Sequence, residues 1–225
     1  MKLPVFKILT LMLLVVSFAA KAQYIHDYQG KMYLEQSYTD VEGTPFLVNN
    51  WANGTVNLAS GKNVTAQLKY DLVKDELLFK NPNDSTAMVF VNPLKGFVFS
   101  NFRIEESDLV PVAFSSGYPT VDDQNGSSFY QVIADGKLKL LKRYRKTIRT
   151  DQAFNSATVT RSFVLNVFYY LLAGGKMTRI KPSSKTIVAV MADNETLVQA
   201  FIKSNKTDFK SDKDLFALFN YYNSL

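Results

Sequence analysis

Two pairs of neighbouring carboxylates are the side chains of this sequence best suited to acid–base chemistry. Glu105 and Glu106 form one pair, and Asp122 and Asp123 form the other. Glycoside hydrolysis uses two carboxyl groups roughly 5 to 10 Å apart, of which one protonates the leaving group and the other acts as base or nucleophile. Both pairs fall in segments that we interpret as loops, where solvated carboxylates are the alternative interpretation. A glycan hydrolase is therefore one hypothesis for this chain.

A basic run between positions 137 and 149 is the only charge cluster that stands out in the sequence. Alternate residues of a strand share a face, so one face of this run would carry Lys137, Lys139, Arg143, Arg145 and Arg149. The other positions are mostly apolar and would point inward. Such a cationic stripe is suited to an anionic headgroup, a polyanionic glycan or an acidic protein. Charged side chains also protect a solvated strand against edge-to-edge aggregation, which is the alternative interpretation. These five residues are our candidate binding residues.

The composition excludes several classes of catalytic and metal site. The chain has 225 residues, of which 47% are hydrophobic and 20% charged, and this is ordinary for a globular protein. It contains no cysteine and a single histidine, His26, so Cys-ligated metal sites, cysteine nucleophiles and His-rich metal sites are excluded. No glycine-rich phosphate loop, nucleophile elbow or zinc-protease motif occurs. We predict no cofactor and no metal, and the residue types favour a non-catalytic protein over an enzyme.

Aromatic residues make up 13% of the chain and crowd one segment near position 168. Phe163, Phe168, Tyr169 and Tyr170 would cover both faces of a strand there. Such a strand is either buried between a sheet and helices or forms one wall of an apolar ligand cavity. A carrier of lipids or other amphiphiles with an aromatic-lined cavity is therefore a further hypothesis.

The N-terminus has the pattern of a secretory signal peptide. Lys2 and Lys7 precede the apolar run 8–20, and Ala20 and Ala22 supply the small residues that a signal peptidase reads. We predict that residues 1–22 are removed and that the protein is exported to the periplasm, with an extracellular or outer-membrane-associated location as the alternative. Removing three lysines lowers the net charge from +6 to +3, which does not indicate a nucleic-acid partner. No later apolar run reaches the roughly 20 residues of a membrane-spanning helix.

The elements that would position these side chains are mainly strands. Runs rich in Val, Phe, Tyr, Leu and Thr alternate with turn residues, and they predict strands at 54–58, 64–72, 76–80, 87–91 and 97–103. Two hairpins follow, 129–134 with 137–149 and 159–172 with 176–181. Their loops, Asp135-Gly136 and Gly174-Gly175, favour type I′ turns. The polar segment 150–158 is compatible with a loop or with a short helix.

Beyond Pro182 the hydrophobic pattern shifts from the strand period towards the helix period. Ser183 or Ser184 fits the N-cap of a helix at 185–192, and a second helix is predicted at 195–205. A third follows Ser211 and Asp214, which stand at capping-box spacing. Strands followed by helices indicate an α+β fold. We predict one domain over 23–225, with an antiparallel meander at 54–181, shaped as a curved sheet or half-barrel, and a helical cluster at 183–225.

Three sets of residues carry a resemblance to other proteins. They are LKYDL at 68–72 with LLF at 77–79, GK at 136–137 with LLKR at 140–143, and YYNSL at 221–225. In these residues the chain resembles exported β-rich proteins of Gram-negative bacterial envelopes for which no activity is established. The resemblance implies export to the cell envelope, and it implies no catalytic or binding residue.

Together these observations predict an exported cell-envelope protein that acts as a non-catalytic binding module for an anionic partner or an amphiphilic ligand. The partner would be an anionic envelope component, a lipid or another envelope protein. The amphiphile carrier and the glycan hydrolase are the two alternatives.

Overall fold

The computed structural model describes residues 29–34, 38–102, 110–152, 154 and 157–225. In these ranges the chain forms an antiparallel sheet of eleven strands, followed by three α-helices near the C-terminus. The prediction of an α+β fold, with a mainly antiparallel sheet and a C-terminal cluster of about three helices, is therefore confirmed. The predicted signal peptide and the pair Glu105 and Glu106 lie outside the described residues.

The strands are short in the first half of the chain and longest in the hairpin that β9 and β10 form. They are β1 (Gly30–Met32), β2 (Ala52–Leu58), β3 (Asn63–Asp71), β4 (Glu76–Lys80), β5 (Ala87–Phe90), β6 (Leu94–Phe102), β7 (Val110–Ser115), β8 (Tyr130–Ala134), β9 (Lys139–Gln152), β10 (Val159–Ala173) and β11 (Lys176–Ile180). Their order across the sheet is β1-β5-β4-β3-β2-β6-β7-β8-β9-β10-β11. The helices are α1 (Ser184–Val190), α2 (Glu195–Asn205) and α3 (Asp212–Ser224).

The larger part of the core lies on one face of the sheet, which we call the inner face and define by Leu140 and Tyr144 of β9. Aromatic rings fill its centre, where Phe97 and Phe114 stack at 4.8 Å and Tyr70 meets both rings edge-on. These side chains are at most 2% exposed. Alternation of apolar residues along each strand places them on this face together.

The helical cluster covers the inner face of the last strands. Leu215, Leu218, Phe219 and Tyr222 of α3 are buried against Leu140 and its neighbours, as their helical spacing predicts. The side chain of Ser211 accepts a hydrogen bond from the Asp214 amide, so the predicted N-cap is confirmed. Ser183 caps α1 in the same way.

The sheet curls so far that its two halves meet. The turn after β3 contacts β9, five places away in the strand order, and the Lys146 amide donates to the Leu72 carbonyl at 3.0 Å. The turn packs against the part of β9 that lies beyond the end of β8, because β8 pairs with β9 only as far as Lys142. The curl therefore brings residues near 75 against residues near 143.

The two predicted glycine turns differ in outcome. Gly174 and Gly175 both have positive φ, and Ala173 pairs with Lys176, so the tight two-residue turn is confirmed. The prediction of a tight turn at Asp135-Gly136 is wrong, because Ala134 pairs with Leu140 and Gly136 has no positive φ. Gly136 is required there for another reason: a Cβ atom would lie 2.5 Å from the side chain of Asn223.

Two strand boundaries also differ from the prediction. β9 continues to Gln152 and β10 begins at Val159, so residues 150–152 of the segment 150–158 are strand rather than loop or helix. The strand β7 was not predicted, since Pro111 breaks its pattern. The proline is tolerated because it lies at a register shift against β6 and outside the two residues of β7 that pair with β8.

Candidate functional site

Each of the five predicted binding residues lies beside a carboxylate of the same chain. The pairs are Lys137 with Asp193, Lys139 with Asp135, Arg143 with Asp75, Arg145 with Asp123, and Arg149 with Asp151. The cations therefore do not form the continuous, solvated stripe that strand alternation predicts. They divide instead into a buried residue, two residues at one end of the strand and two exposed residues on its open face.

Arg143 is buried, so the prediction that it belongs to an exposed stripe is wrong. The residue is 5% exposed, its Nη2 atom lies 3.0 Å from the Asp75 carboxylate, and its Nη1 atom donates to the Phe129 carbonyl at 2.9 Å. Asp75 also accepts a hydrogen bond from the Tyr70 hydroxyl. Burial alone lowers the pKa of Arg143, but Asp75 and Tyr70 hold it above its ordinary value. Arg143 thus joins the turn after β3 to β9.

Lys137 lies in the connection between β8 and β9, and Lys139 is the first residue of β9, so both lie at the start of the strand. Lys137 precedes β9, and its Nζ atom lies 4.2 Å from the centroid of the Tyr222 ring in α3. Lys139 forms its ion pair with Asp135, which lies in the connection. Both lysines are therefore separated from Arg145 by the buried part of the strand.

The exposed cations of this region lie on the outer face of the sheet, opposite the face that packs on the helices. Arg145 and Arg149 come from β9, and Arg179 comes from β11. The strand register places Tyr170 opposite both Leu141 and Arg179, so these side chains share the outer face. We call Arg145, Arg149 and Arg179 the outer arginine surface; their side chains are 40%, 65% and 51% exposed.

Aromatic side chains of the outer face lie next to these cations. The Arg179 guanidinium lies 4.2 Å from the centroid of the Phe168 ring, which is cation–π contact. Tyr170 is buried next to Phe168, and its ring meets that of Tyr130 edge-on at 5.4 Å. Tyr130 in turn meets Tyr118. The aromatic strand of the sequence thus supplies its outer-face residues to this site.

The acidic loop, which we define as residues 116–128, returns over the same outer face. Asp122 accepts a hydrogen bond from the Tyr170 hydroxyl at 3.0 Å, and its carboxylate lies 3.7 Å from Nη1 of Arg179. Asp123 forms an ion pair with Arg145. The structure therefore brings together the second carboxylate pair and part of the basic run, which the sequence presents as two unrelated features.

These loop carboxylates are arranged as counter-ions and not as an acid–base pair. The hydrogen bond from Arg145 lowers the pKa of Asp123, which favours its charged form. A general acid in glycoside hydrolysis requires the opposite shift. Asp122 and Asp123 are also consecutive residues of one turn, and each contacts a cation.

Two buried polar atoms beneath the acidic loop have no hydrogen-bond partner among the described residues. They are the hydroxyl of Tyr130, which is 0% exposed, and Nε of Arg143. Burial raises the pKa of Tyr130 to about 12, although the charge of Arg143 opposes this shift. Unpaired buried polar groups are uncommon in folded proteins.

Within the part of the chain that the structure describes, no cluster of three or more His, Cys, Asp or Glu side chains is placed to hold a metal ion. Among the same residues, no helix is both long and apolar enough to cross a membrane. Comparison of the chain with protein-family models, curated proteins and solved structures finds no match.

Sequence reasoning missed Arg179 as a member of the site, although a signal for it exists. The tight turn at Gly174-Gly175 fixes the register of β10 and β11, because it pairs Ala173 with Lys176. Counting back three residues on β10 then places Tyr170 opposite Arg179. The return of the acidic loop over these residues has no comparable local signal.

Proposed function

We propose that this chain is an exported, non-catalytic cell-envelope protein that binds an anionic partner through the outer arginine surface. The observation that carries the proposal is that three arginines share one exposed face and are neutralised there only by exposed carboxylates, as far as the described residues extend. The partners Asp122, Asp123 and Asp151 have side chains that are 38%, 57% and 54% exposed. Ion pairs of this kind contribute about 0 to 1 kcal/mol each, so an anionic partner can replace them at little cost.

Three observations support this function over the alternatives. Asp122 and Asp123 serve as counter-ions, which argues against a hydrolase that uses this carboxylate pair. The aromatic rings of the inner face pack on one another, with Phe97 and Phe114 nearly parallel, which argues against an aromatic-lined carrier. A shallow groove between α1 and α2 contains Lys185 and Glu195 but no aromatic residue. Export itself is inferred from the N-terminal sequence pattern.

The test is a binding assay of the chain that begins at Gln23 with two anionic probes, polyglutamate and vesicles containing about 30% phosphatidylglycerol. The variant Arg145→Glu/Arg149→Glu reverses two charges of the outer arginine surface. The matched control Lys210→Glu/Lys213→Glu makes the same change in net charge on exposed residues at the start of α3.

We expect the wild-type chain to bind at least one probe at low salt and the arginine variant to bind it about tenfold or more weakly. The lysine control is expected to stay within about twofold of the wild type. Urea unfolding of all three proteins ensures that they are folded. Lack of binding to both probes, or equal loss in the control, would show that the outer arginine surface is not the binding site.

A further inference from the structure

The acidic loop shows which chemical groups the outer arginine surface accepts. Two consecutive aspartates place one carboxylate on Arg145 and the other between Arg179 and the Tyr170 hydroxyl. The cations come from β9 and β11, with the intervening β10 supplying Tyr170. Adjacent carboxylates on a single chain therefore span the surface across three strands.

The shape of the acidic loop rests mainly on backbone hydrogen bonds, and the Asp123 carboxylate adds a hydrogen bond that it accepts from the Gln124 side chain. Backbone hydrogen bonds join Gln124 to Val121 and Gly117 to Gly126, so the turn and the neck of the loop are closed within the loop itself. Gln124 and Ser128 are buried, whereas Asp122 and Asp123 are exposed. A competing carboxylate thus has to replace two solvated ion pairs and the hydrogen bond from the Tyr170 hydroxyl, while the backbone hydrogen bonds of the loop remain.

The position of the loop also decides between a bilayer and a peptide as the partner. Because Asp122 and Asp123 lie over the arginines, a flat anionic bilayer that approaches this face meets carboxylates first and is repelled. An extended peptide is narrow enough to enter from the side, and its carboxylates gain the hydrogen bonds that the loop now receives.

We infer that the partner is an acidic peptide segment with adjacent carboxylates, which replaces Asp122 and Asp123 on the outer arginine surface. The inference rests on the proposed function and adds the class of partner. The loop then acts as a built-in competitor that weakens the binding of any acidic segment lacking two neighbouring carboxylates.

The experiment removes the competitor charges and leaves the surface intact. The variant Asp122→Asn/Asp123→Asn is titrated with a fluorescein-labelled Gly-Asp-Asp-Gly peptide, and Gly-Asn-Asn-Gly serves as the peptide control. The protein control is Asp84→Asn/Asp135→Asn, which makes the same charge change at exposed residues of other turns. A third protein adds Arg145→Ala and Arg179→Ala to the loop variant, and urea unfolding confirms that every variant is folded.

We expect the loop variant to bind the Asp-Asp peptide about 3-fold to 30-fold more tightly than the wild type, which corresponds to two lost exposed ion pairs. The Asp84 and Asp135 control should bind like the wild type, and the two alanine substitutions should abolish the gain. Equal affinity of the loop variant and the wild type, or equal binding of the Asn-Asn peptide, would overturn the inference.

The outcome of this experiment is separable from that of the proposed function. If Arg145→Glu/Arg149→Glu loses polyanion binding while the loop variant gains nothing, the binding function stands and the acidic-peptide inference falls. A loop variant that gains affinity for phosphatidylglycerol vesicles and not for the peptide also overturns the inference. If neither polyglutamate nor vesicles bind the wild type, the proposed function falls.

Discussion

Replacing Arg143 with methionine should destabilise the fold far more than the same change at Arg145. Arg143 is 5% exposed and joins Asp75 and the Phe129 carbonyl, so its loss leaves a carboxylate and a carbonyl without their donor. Breaking a buried ion pair by removing one partner costs about 3 to 5 kcal/mol. Since the Asp75 side chain is 21% exposed and keeps its hydrogen bond from Tyr70, we expect the lower end, about 3 kcal/mol.

The contrast with Arg145 comes from exposure. Arg145 and Asp123 are 40% and 57% exposed, and such pairs contribute at most about 1 kcal/mol. The assay is urea unfolding at neutral pH, followed by the fluorescence of Trp51, the only tryptophan. A double-mutant cycle with Asp75→Asn measures the coupling of Arg143 to its partner.

A difference of less than about 1 kcal/mol between Arg143→Met and Arg145→Met would refute this reasoning. It would show that the ion pair between Arg143 and Asp75 does not hold the turn after β3 against β9. The same contrast explains why charge reversal at Arg143 is unsuitable as a test of binding, since it reports on folding instead.

Three further predictions concern buried tyrosines and the close contact of Gly136 with α3. Tyr130→Phe removes a hydroxyl that has no hydrogen-bond partner among the described residues, so it should change the free energy of unfolding by less than about 1 kcal/mol. Tyr70→Phe removes a hydroxyl that donates to Asp75, so it should lower the free energy of unfolding by about 1 to 3 kcal/mol. Gly136→Ala forces the Asn223 side chain away from Leu138, where it donates one hydrogen bond and accepts another, and should cost about 1 to 3 kcal/mol in the same urea assay. Burial raises the pKa of Tyr33, Tyr38, Tyr70 and Tyr170, so the unfolded chain releases protons above about pH 10 that the folded chain retains. The stability that these tyrosines contribute is therefore complete below about pH 10. Above that pH the free energy of unfolding should fall by up to about 1.4 kcal/mol per pH unit for each of these tyrosines.

Each of these predictions has a contradicting result. A loss of more than about 2 kcal/mol in Tyr130→Phe would show that the hydroxyl has a strong partner in the folded protein. Full stability of Gly136→Ala would show that α3 does not approach the connection before β9 as closely as the structure has it. Equal urea midpoints at pH 9 and pH 11 would show that the buried tyrosines ionise as easily in the folded as in the unfolded chain.

The strands and helices were largely predictable because their signals are local. Alternation of apolar residues, turn residues such as Gly174 and Gly175, and the N-cap serines all act within a few positions of the backbone that they shape. The failures have non-local causes. Gly136 is needed for the approach of Asn223 from α3, and β7 keeps Pro111 because β8 pairs elsewhere along it.

The candidate site was predictable only in part, for the same reason. Strand alternation correctly separates the outer face of β9 from the inner face, but it does not indicate which stretch of a face is covered. Arg143 is covered by Asp75, which lies 68 residues earlier in the chain, and Arg145 meets a loop that returns from residue 123. Only the curl of the whole sheet and the return of the loop determine these contacts.

The most direct test of the account is an NMR titration of the isotope-labelled chain with polyglutamate, in which the side-chain Nε–H signals of the arginines are followed. The signals of Arg145, Arg149 and Arg179 are expected to shift with a common affinity, while the signal of buried Arg143 changes little. Shifts confined to the helical cluster, or no shift in any arginine signal, would contradict the claim that the outer arginine surface binds an anionic partner.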